Sequence, residues 1–220
     1  MYEPPDYSKF HALEDEKRER IINAAMKEFT NGFKAASTDT MVKEAGISKG
    51  LLFHYFGTKE GLYEYLVNYA TDAITKEYFG LINTDETDIL ESIWQSALLK
   101  QDMARRFPAI FDFMTSVYLD TKHRPSASQA AHMARFSEVQ KRVTDGIMTR
   151  CDRGLFREDV DAQTIIEIIG YAMHGYAESK AKGNTAATAG ENAREWYDKY
   201  LVEFRAYLNV FRKCFYKQHS

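Results

Sequence analysis

Apolar residues recur at intervals of three and four through most of the chain, with polar and charged residues between them. The first clear run has its apolar positions at Ile21, Ile22, Ala25, Met26 and Phe29. This spacing places the apolar side chains on one face of a helix, which must pack against other elements. We find no alternation of apolar and polar residues long enough to indicate a strand. The pattern therefore predicts an all-α fold.

Glycine and hydroxyl residues mark where the N-terminal helices end and begin. Gly32 suits the end of the first amphipathic helix, and Ser37 or Thr38 can cap a second helix. Gly46 permits a sharp reversal of the chain, and Ser48 can cap a third, short helix. Three short helices with a glycine-bearing turn between the last two predict a helix-turn-helix domain over residues 14–62.

The third helix carries side chains that suit contact with DNA. Ser48 and Lys49 lie at its N-terminal end, where free backbone N–H groups and the helix dipole favour a phosphate. Gly50 disfavours the helix by about 1 kcal/mol relative to alanine, and close approach of the backbone to DNA is one reason for a glycine at this position. His54 and Tyr55 have polar tips that could reach a phosphate or a base edge.

Residues 17–66 resemble the DNA-binding domain of the TetR family of transcriptional regulators. The resemblance is carried by the segments TDTMVKEAG, ISKGLLFHYF and TKEGL. It implies that Lys49, Gly50 and Leu51 lie nearest the bases, with Leu51 able to contact a thymine methyl group. The residues that it implies would line the operator are Thr38, Ser48, Lys49, Gly50, Leu51, His54, Tyr55 and Lys59. Phe53 stands where the family usually has a phosphate-binding tyrosine, so that contact is expected to be absent.

The remaining residues, 63–220, are predicted to form a larger helical domain for effector binding and dimerisation, since they suffice for a second core. The candidates for a ligand pocket are Trp94, Phe107, Phe111, Met114, Tyr118, Met133, Phe136, Met148, Met173 and His174. Large apolar walls with few polar tips would accept a small, largely apolar or aromatic effector. Core packing is the simpler interpretation of any single member.

The last two predicted helices are candidates for a dimer interface. The residues proposed for it are Ile165, Ile169, Met173, Tyr176, Tyr197, Tyr200, Leu201, Phe204 and Leu208. The first of these helices is apolar around too much of its circumference for one face, and Tyr and Phe are enriched at interface cores. The TetR resemblance implies that both helices pair with those of a second subunit as a four-helix bundle. Packing within the core of one subunit is the alternative.

Composition and charge limit how such a protein would bind DNA. The 220-residue chain has a formal net charge of −3, and the predicted DNA-binding segment is itself nearly neutral. We therefore expect weak binding to nonspecific DNA and reliance on two copies with a matching shape. Residues 1–13 are predicted to be a flexible tail. Two cysteines, no signal peptide and no long apolar run indicate a cytoplasmic protein that does not enter a membrane.

No arrangement of residues indicates an enzyme. The six histidines lack the i, i+4 pairing of a zinc site, and neither a phosphate-binding glycine loop nor a G-x-S-x-G motif is present. No catalytic residue, metal site or cofactor is therefore predicted. We expect a sequence-specific DNA-binding regulator, a homodimeric repressor that a ligand releases from a palindromic operator. The alternative is a helical interaction adaptor that kept the helix-turn-helix as a scaffold and lost DNA binding.

Overall fold

The computed structural model describes residues 7–119, 127–187 and 193–218 of the chain. The helices are α1 (Ser8–His11), α2 (Asp15–Phe29), α3 (Thr38–Ala45), α4 (Lys49–Phe56), α5 (Lys59–Glu77), α6 (Ile89–Arg106), α7 (Pro108–Leu119), α8 (Ala127–Arg150), α9 (Ala162–Ala187) and α10 (Ala193–Phe215). Two 3₁₀ turns and an isolated antiparallel bridge between Phe156 and Tyr216 complete the regular structure of the described residues. The predicted all-α fold, with an N-terminal helix-turn-helix domain and a larger helical region, is confirmed.

The chain forms two compact units, each assembled from two stretches of sequence. The first unit takes in Met1–Glu77 and Arg106–Val139, and the second takes in Tyr78–Arg105 and Gln140–Ser220. The predicted domain boundary after residue 62 falls inside α5, whose whole length lies in the first unit. The helix-turn-helix segment is thus part of a larger unit that also contains α5 and α7.

The first unit is centred on α2. The five positions that the spacing placed on its apolar face are all at most 3% exposed. The fully buried Phe113 ring of α7 packs against it, with its centroid 6.3 Å from that of Phe29 and 5.6 Å from that of Tyr63 in α5. The Ser116 hydroxyl donates a hydrogen bond to the Phe29 carbonyl at 3.1 Å. α7 therefore belongs to the core that supports the helix-turn-helix.

The prediction of a flexible tail over residues 1–13 is wrong for residues 7–13, the part of it that the structure describes. Residues 8–11 form α1, and the Phe10 ring is fully buried. Its centroid lies 4.7 Å from that of Phe56 and 5.2 Å from that of Tyr65. A four-residue helix has too few positions to show a helical period, so the sequence pattern did not indicate it. The first six residues lie outside the described part of the chain.

The second unit has its own core, to which α6, α9 and α10 contribute. Its buried members are Ile89, Leu90, Ala97, Cys151, Phe156, Ile165, Ile166, Ile169, Tyr176, Leu201, Phe204, Leu208 and Tyr216. Asp88 accepts a hydrogen bond from the Leu90 backbone N–H at 2.9 Å, which caps the start of α6. The same carboxylate accepts hydrogen bonds from the Tyr216 hydroxyl at 2.6 Å and the Arg212 guanidinium at 2.8 Å. It therefore holds the C-terminal end of α10 beside the start of α6.

Candidate DNA-binding surface

The two helices of the predicted DNA-reading motif, α3 and α4, have well-defined ends. The Ser37 hydroxyl caps α3 by accepting a hydrogen bond from the Thr40 N–H at 3.4 Å. Gly46 ends this helix in the left-handed conformation, with φ of 68°. The Ser48 hydroxyl then caps α4 by accepting from the Leu51 N–H at 3.2 Å. Two hydroxyl caps and one glycine thus encode the helix-turn-helix locally.

The inner face of α4 packs against α1 and α5. Leu52 and Phe56 are each 1% exposed, and the Tyr55 ring is 8% exposed with its centroid 5.5 Å from that of Phe10. Tyr55 is one of the residues predicted to line the operator, and the structure places its ring in the core instead. Its spacing of three residues after Leu52 puts both side chains on the same helix face. This spacing is a sequence signal that the prediction did not use.

The outer face of α4 presents most of the other candidates. Ser48, Lys49, Gly50 and His54 are exposed, and Leu51 is half-buried, as is Thr38 at the start of α3. A Cβ added at Gly50 would meet nothing within 4 Å. No neighbouring protein atom therefore requires a glycine here, and the missing side chain leaves room for a partner to approach the start of α4. We call Thr38, Asp39, Ser48, Lys49, Gly50, Leu51 and His54 the reading surface.

Asp39 joins this surface through an ion pair that the sequence interpretation missed. The Lys49 ammonium lies 2.9 Å and 3.1 Å from the two carboxylate oxygens of Asp39. The Lys49 and Asp39 side chains are 48% and 75% exposed, respectively. An acidic residue in the first turn of one helix and a lysine at the start of the next are visible in the sequence, but their approach depends on how the turn folds. In the DNA-free protein, the positive charge of Lys49 is thus partly neutralised.

Lys59, another residue predicted to line the operator, is engaged within the protein. Its ammonium donates a hydrogen bond to the Ala36 carbonyl at 2.5 Å and lies 4.9 Å from the centroid of the Phe33 ring. These contacts tie the first turn of α5 to the segment before α3, and they leave the side chain half-buried. A phosphate contact stays a prediction, since an ammonium has three donors and the Ala36 carbonyl uses one.

The ten residues predicted to line a ligand pocket are divided between the two units. Phe107, Phe111, Met114, Met133 and Phe136 lie in the first unit with Tyr118, whose side chain is outside the described residues, and Trp94, Met148, Met173 and His174 lie in the second. Of the nine described side chains, His174 is exposed and the others are partly buried. Trp94 packs on the core of the second unit with the Arg205 guanidinium 4.5 Å from its ring centroid. The pocket stays a prediction.

An open cavity in the first unit has a different lining. Its volume is about 430 Å³, and it is lined by Arg20, Asn23, Ala24, Lys27, Thr30, Glu44, Ala109 and Asp112. We call it the polar cavity. Charged and polar side chains dominate this lining, so it differs from the apolar effector site that the sequence suggested.

Most of the predicted dimer residues lie in the core of the second unit. Ile165, Ile169, Tyr176, Leu201, Phe204 and Leu208 are buried within the single chain, Met173 and Tyr200 are partly buried against them, and the Tyr197 side chain is outside the described residues. Other faces of the same helices expose Ile168 (41%), Tyr171 (76%), Val202 (74%), Tyr207 (48%) and Val210 (56%). We call these five residues the outer strip. Periodicity identified apolar helices here but could not show which face turns inward.

We also searched the described part of the chain for a metal site, a membrane-spanning helix and a reactive cysteine. There, no group of His, Cys, Asp and Glu side chains is arranged to hold a metal ion, and no helix is long and apolar enough to cross a membrane. Cys151 is buried, and burial raises the pKa of its thiol, which disfavours the nucleophilic thiolate.

The sequence of this motif is similar to that of known proteins. Residues 21–66 match the family model described as bacterial regulatory proteins, tetR family. The chain is 21% identical over 170 residues to the HTH-type transcriptional regulator PksA of Bacillus subtilis (strain 168), a match that covers 73% of this chain and 78% of that protein. It is 43% identical over 51 residues to the HTH-type transcriptional regulator UidR of Escherichia coli (strain K12), which is 23% of this chain and 26% of that protein.

Solved structures share the fold over most of the chain. A TetR family transcriptional regulator from Chloroflexus aurantiacus J-10-FL has a TM-score of 0.61 at 18% identity, covering 96% of this chain and 98% of that chain. The TetR family transcriptional regulator PfmR from Thermus thermophilus has a TM-score of 0.57 at 21% identity, covering 88% of this chain and 97% of that chain. PksA and UidR are named as transcriptional regulators, which agrees with the prediction that the chain is not an enzyme. Residues 21–66 therefore match the model of the tetR family of bacterial regulatory proteins, and the chain shares the fold of solved TetR family structures over most of its length.

Proposed function

We propose that the protein is a repressor that binds a palindromic operator as a homodimer and is released by a small, largely apolar or aromatic effector. The observation that supports operator binding is the exposed start of α4, where the Ser48 cap, Lys49 and the uncovered Gly50 lie together. Free backbone N–H groups at such an end suit a phosphate, and the adjacent side chains suit base edges. Repression would follow because a bound dimer occludes the polymerase.

Two copies are needed because one reading surface has little net charge with which to hold DNA. Its lysine, Lys49, is paired with Asp39, and Lys59 nearby donates to a backbone carbonyl. A small number of phosphate contacts gives weak affinity that falls with salt. A twofold dimer would insert two α4 helices into successive major grooves, with half-site centres roughly 34–36 Å apart.

We place the dimer contact on the outer strip of α9 and α10 rather than on the residues first suggested by the sequence. Tyr171 and Val202 are 76% and 74% exposed, and the outer strip adds three further exposed apolar side chains on the same two helices. A second copy of the same strip would cover them, because a twofold interface brings the same patch of both subunits together. The buried residues of these helices would support the strip from beneath.

Effector release is proposed to act through α7. Phe107, Phe111 and Met114 of the predicted pocket lie in or next to this helix, and its Phe113 packs against Phe29 of α2. A ligand that moves α7 would therefore disturb the core that supports the helix-turn-helix. It would lower operator affinity only if it binds the released conformation more tightly than the DNA-bound one. Compounds that stabilise the protein against heat without changing its operator affinity would argue against this route.

The test of operator binding is a salt titration of the purified protein on the DNA upstream of its own gene, beside a scrambled duplex. We expect selective binding that weakens with salt and falls about tenfold or more in Lys49→Ala. Lys27→Ala is the matched control, because Lys27 forms a similar exposed ion pair with Glu44 at 2.5 Å beside the polar cavity. Equally weak binding to both duplexes and to a genomic pool would contradict the proposal and favour the adaptor.

A further inference from the structure

The ion pair on the reading surface places a carboxylate where the proposed function requires contact with a polyanion. Asp39 lies in the first turn of α3 and Lys49 is the first residue of α4, so the pair bridges the two helices of the motif. Both carboxylate oxygens lie within 3.1 Å of the Lys49 ammonium, so a DNA segment that contacts Lys49 would also lie close to Asp39.

Stability of the fold does not explain this carboxylate. Ser37 already caps α3 with its hydroxyl, and an acidic residue in the first turn adds only modest stability to a helix. The Asp39 side chain is 75% exposed, and an exposed ion pair contributes little to folding. Against these small gains, the carboxylate repels every phosphate that approaches Lys49. A residue with that cost on a DNA-facing surface suggests a role in the complex itself.

We propose that Asp39 is a specificity-determining residue of the reading surface, an inference that rests on the proposed function. In the major groove, the hydrogen-bond donors are the amino groups of cytosine and adenine, and aspartate accepts from cytosine N4. Lysine donates to the O6 and N7 atoms of guanine. A site that offers cytosine to Asp39 and guanine to Lys49 satisfies both members of the pair when they separate.

On DNA sequences without these bases, separation of the Asp39–Lys49 ion pair is unfavourable. Lys49 can turn to a phosphate only by leaving Asp39, and the carboxylate then faces DNA without a donor. The ion pair therefore lowers affinity for nonspecific DNA as well as favouring a cytosine-guanine pair in each half-site. Both effects, on nonspecific affinity and on base preference, arise from the negative charge of Asp39 and from its contact with Lys49.

The test is selection of binding sites from a randomised duplex pool by the full-length protein and two variants. We expect the wild-type protein to enrich a cytosine-guanine pair at one position of each half-site. In Asp39→Ala this preference falls roughly tenfold, the usual effect of one mismatched base pair, while other positions keep theirs. In Asp39→Asn it moves to adenine, because asparagine pairs with adenine N6 and N7.

A second measurement follows the effect on nonspecific DNA. Asp39→Ala is expected to bind a scrambled duplex several-fold more tightly than the wild-type protein at low salt, because a repelling charge is removed. Glu44→Ala is the matched control: Glu44 is an exposed carboxylate of the same helix, paired with Lys27 away from the reading surface. Thermal unfolding of each variant would show that it remains folded.

The outcomes separate this inference from the function on which it rests. If Asp39→Ala enriches the same bases as strongly as the wild-type protein, Asp39 is not a specificity residue, and the proposed operator binding is unaffected. If the wild-type protein enriches no sequence at all, the proposed function fails and the role of Asp39 fails with it.

Discussion

At the scale of single residues, two glycines of the helix-turn-helix meet different requirements. Gly46 has φ of 68°, a conformation that side chains disfavour, and it ends α3. Gly50 lies within α4 at negative φ, and a Cβ there would meet no neighbour. The backbone therefore requires the first glycine, whereas the second leaves space on the reading surface.

Substituting alanine for each glycine should separate these requirements. Gly46→Ala is expected to lower the free energy of unfolding by about 1–2 kcal/mol, because an L residue is strained in the left-handed region. Gly50→Ala should leave that free energy unchanged or raise it by up to about 1 kcal/mol, because alanine favours a helix. The added methyl group should nevertheless weaken operator binding.

Chemical denaturation and an operator titration of both variants would measure these effects. Undiminished operator affinity in a well-folded Gly50→Ala variant would show that DNA does not approach the start of α4.

At the scale of elements, the short helix α1 contributes more than its length suggests. Phe10 is completely buried among aromatic rings of α4 and α5, so α1 packs against both of these helices and connects them. The His11 ring nitrogen lies 3.2 Å from the Tyr65 hydroxyl, and burial raises the pKa of this hydroxyl to about 12. The packing of α4 thus depends on residues outside the predicted domain of residues 14–62.

Truncation of Phe10 tests this contribution. Phe10→Ala should lower the free energy of unfolding by about 3–5 kcal/mol, because it removes a buried aromatic ring and leaves a cavity. The control is Lys9→Ala, since Lys9 is exposed in the same helix and its loss should change stability by less than about 0.5 kcal/mol. Urea denaturation of both variants measures the difference. Similar stabilities would mean that α1 does not hold the first unit together.

Asp88 provides a second contact between elements, one that depends on pH. Burial raises the pKa of its carboxyl, but hydrogen bonds from Tyr216, Arg212 and the α6 backbone outweigh that effect, so the pKa lies below its ordinary value. A carboxyl with a lowered pKa in the folded state contributes stability that is complete above its unfolded pKa of about 3.9. That stability is lost as the pH falls through the lower folded value.

Replacement of Asp88 should therefore matter most near neutral pH. Asp88→Asn is expected to lower the free energy of unfolding by about 1–3 kcal/mol at pH 7, because charged hydrogen bonds are lost. The difference from the wild-type protein should shrink below about pH 4. Denaturation curves between these values measure it, with Asp85→Asn as the control because Asp85 is 89% exposed. A difference that does not change with pH would contradict the role assigned to the carboxylate.

At the level of the whole molecule, the proposed function depends on two copies of the chain. The outer strip gives the second unit an apolar surface, and the interior of the same helices is already filled by its own core. Dimerisation should therefore involve the outer strip, whereas substitutions of the buried residues would unfold the second unit before they reported on dimerisation.

Charged substitutions on the outer strip test the dimer. Tyr171→Asp combined with Val202→Asp should yield a folded monomer, because two pairs of like charges would face each other across a twofold interface. Its affinity for the full operator should fall at least about tenfold, while affinity for a half-site is retained. The control is Leu81→Asp, another exposed apolar residue of the second unit, at 52% exposure. Sedimentation and operator titration would report both properties, and a stable dimer of the double variant would place the interface elsewhere.

The structural predictions that were confirmed rest on interactions between residues close in sequence. The apolar face of α2 was predicted correctly from its spacing, and the ends of α3 and α4 from Gly46 and Ser48. The predictions that failed concern orientation. Tyr55 turns inward, and Ile165 and Leu208 lie in the core of one chain rather than on its surface.

The all-α class and the helix-turn-helix follow from local signals in the sequence, because helical period, caps and glycine turns act over a few residues. Three features required the folded chain: α1 and α7 belong with this motif, Asp39 pairs with Lys49, and the outer strip remains exposed. The physical reason is that a helix apolar on several sides has no local preference for which side is buried. Packing against elements distant in sequence makes that choice.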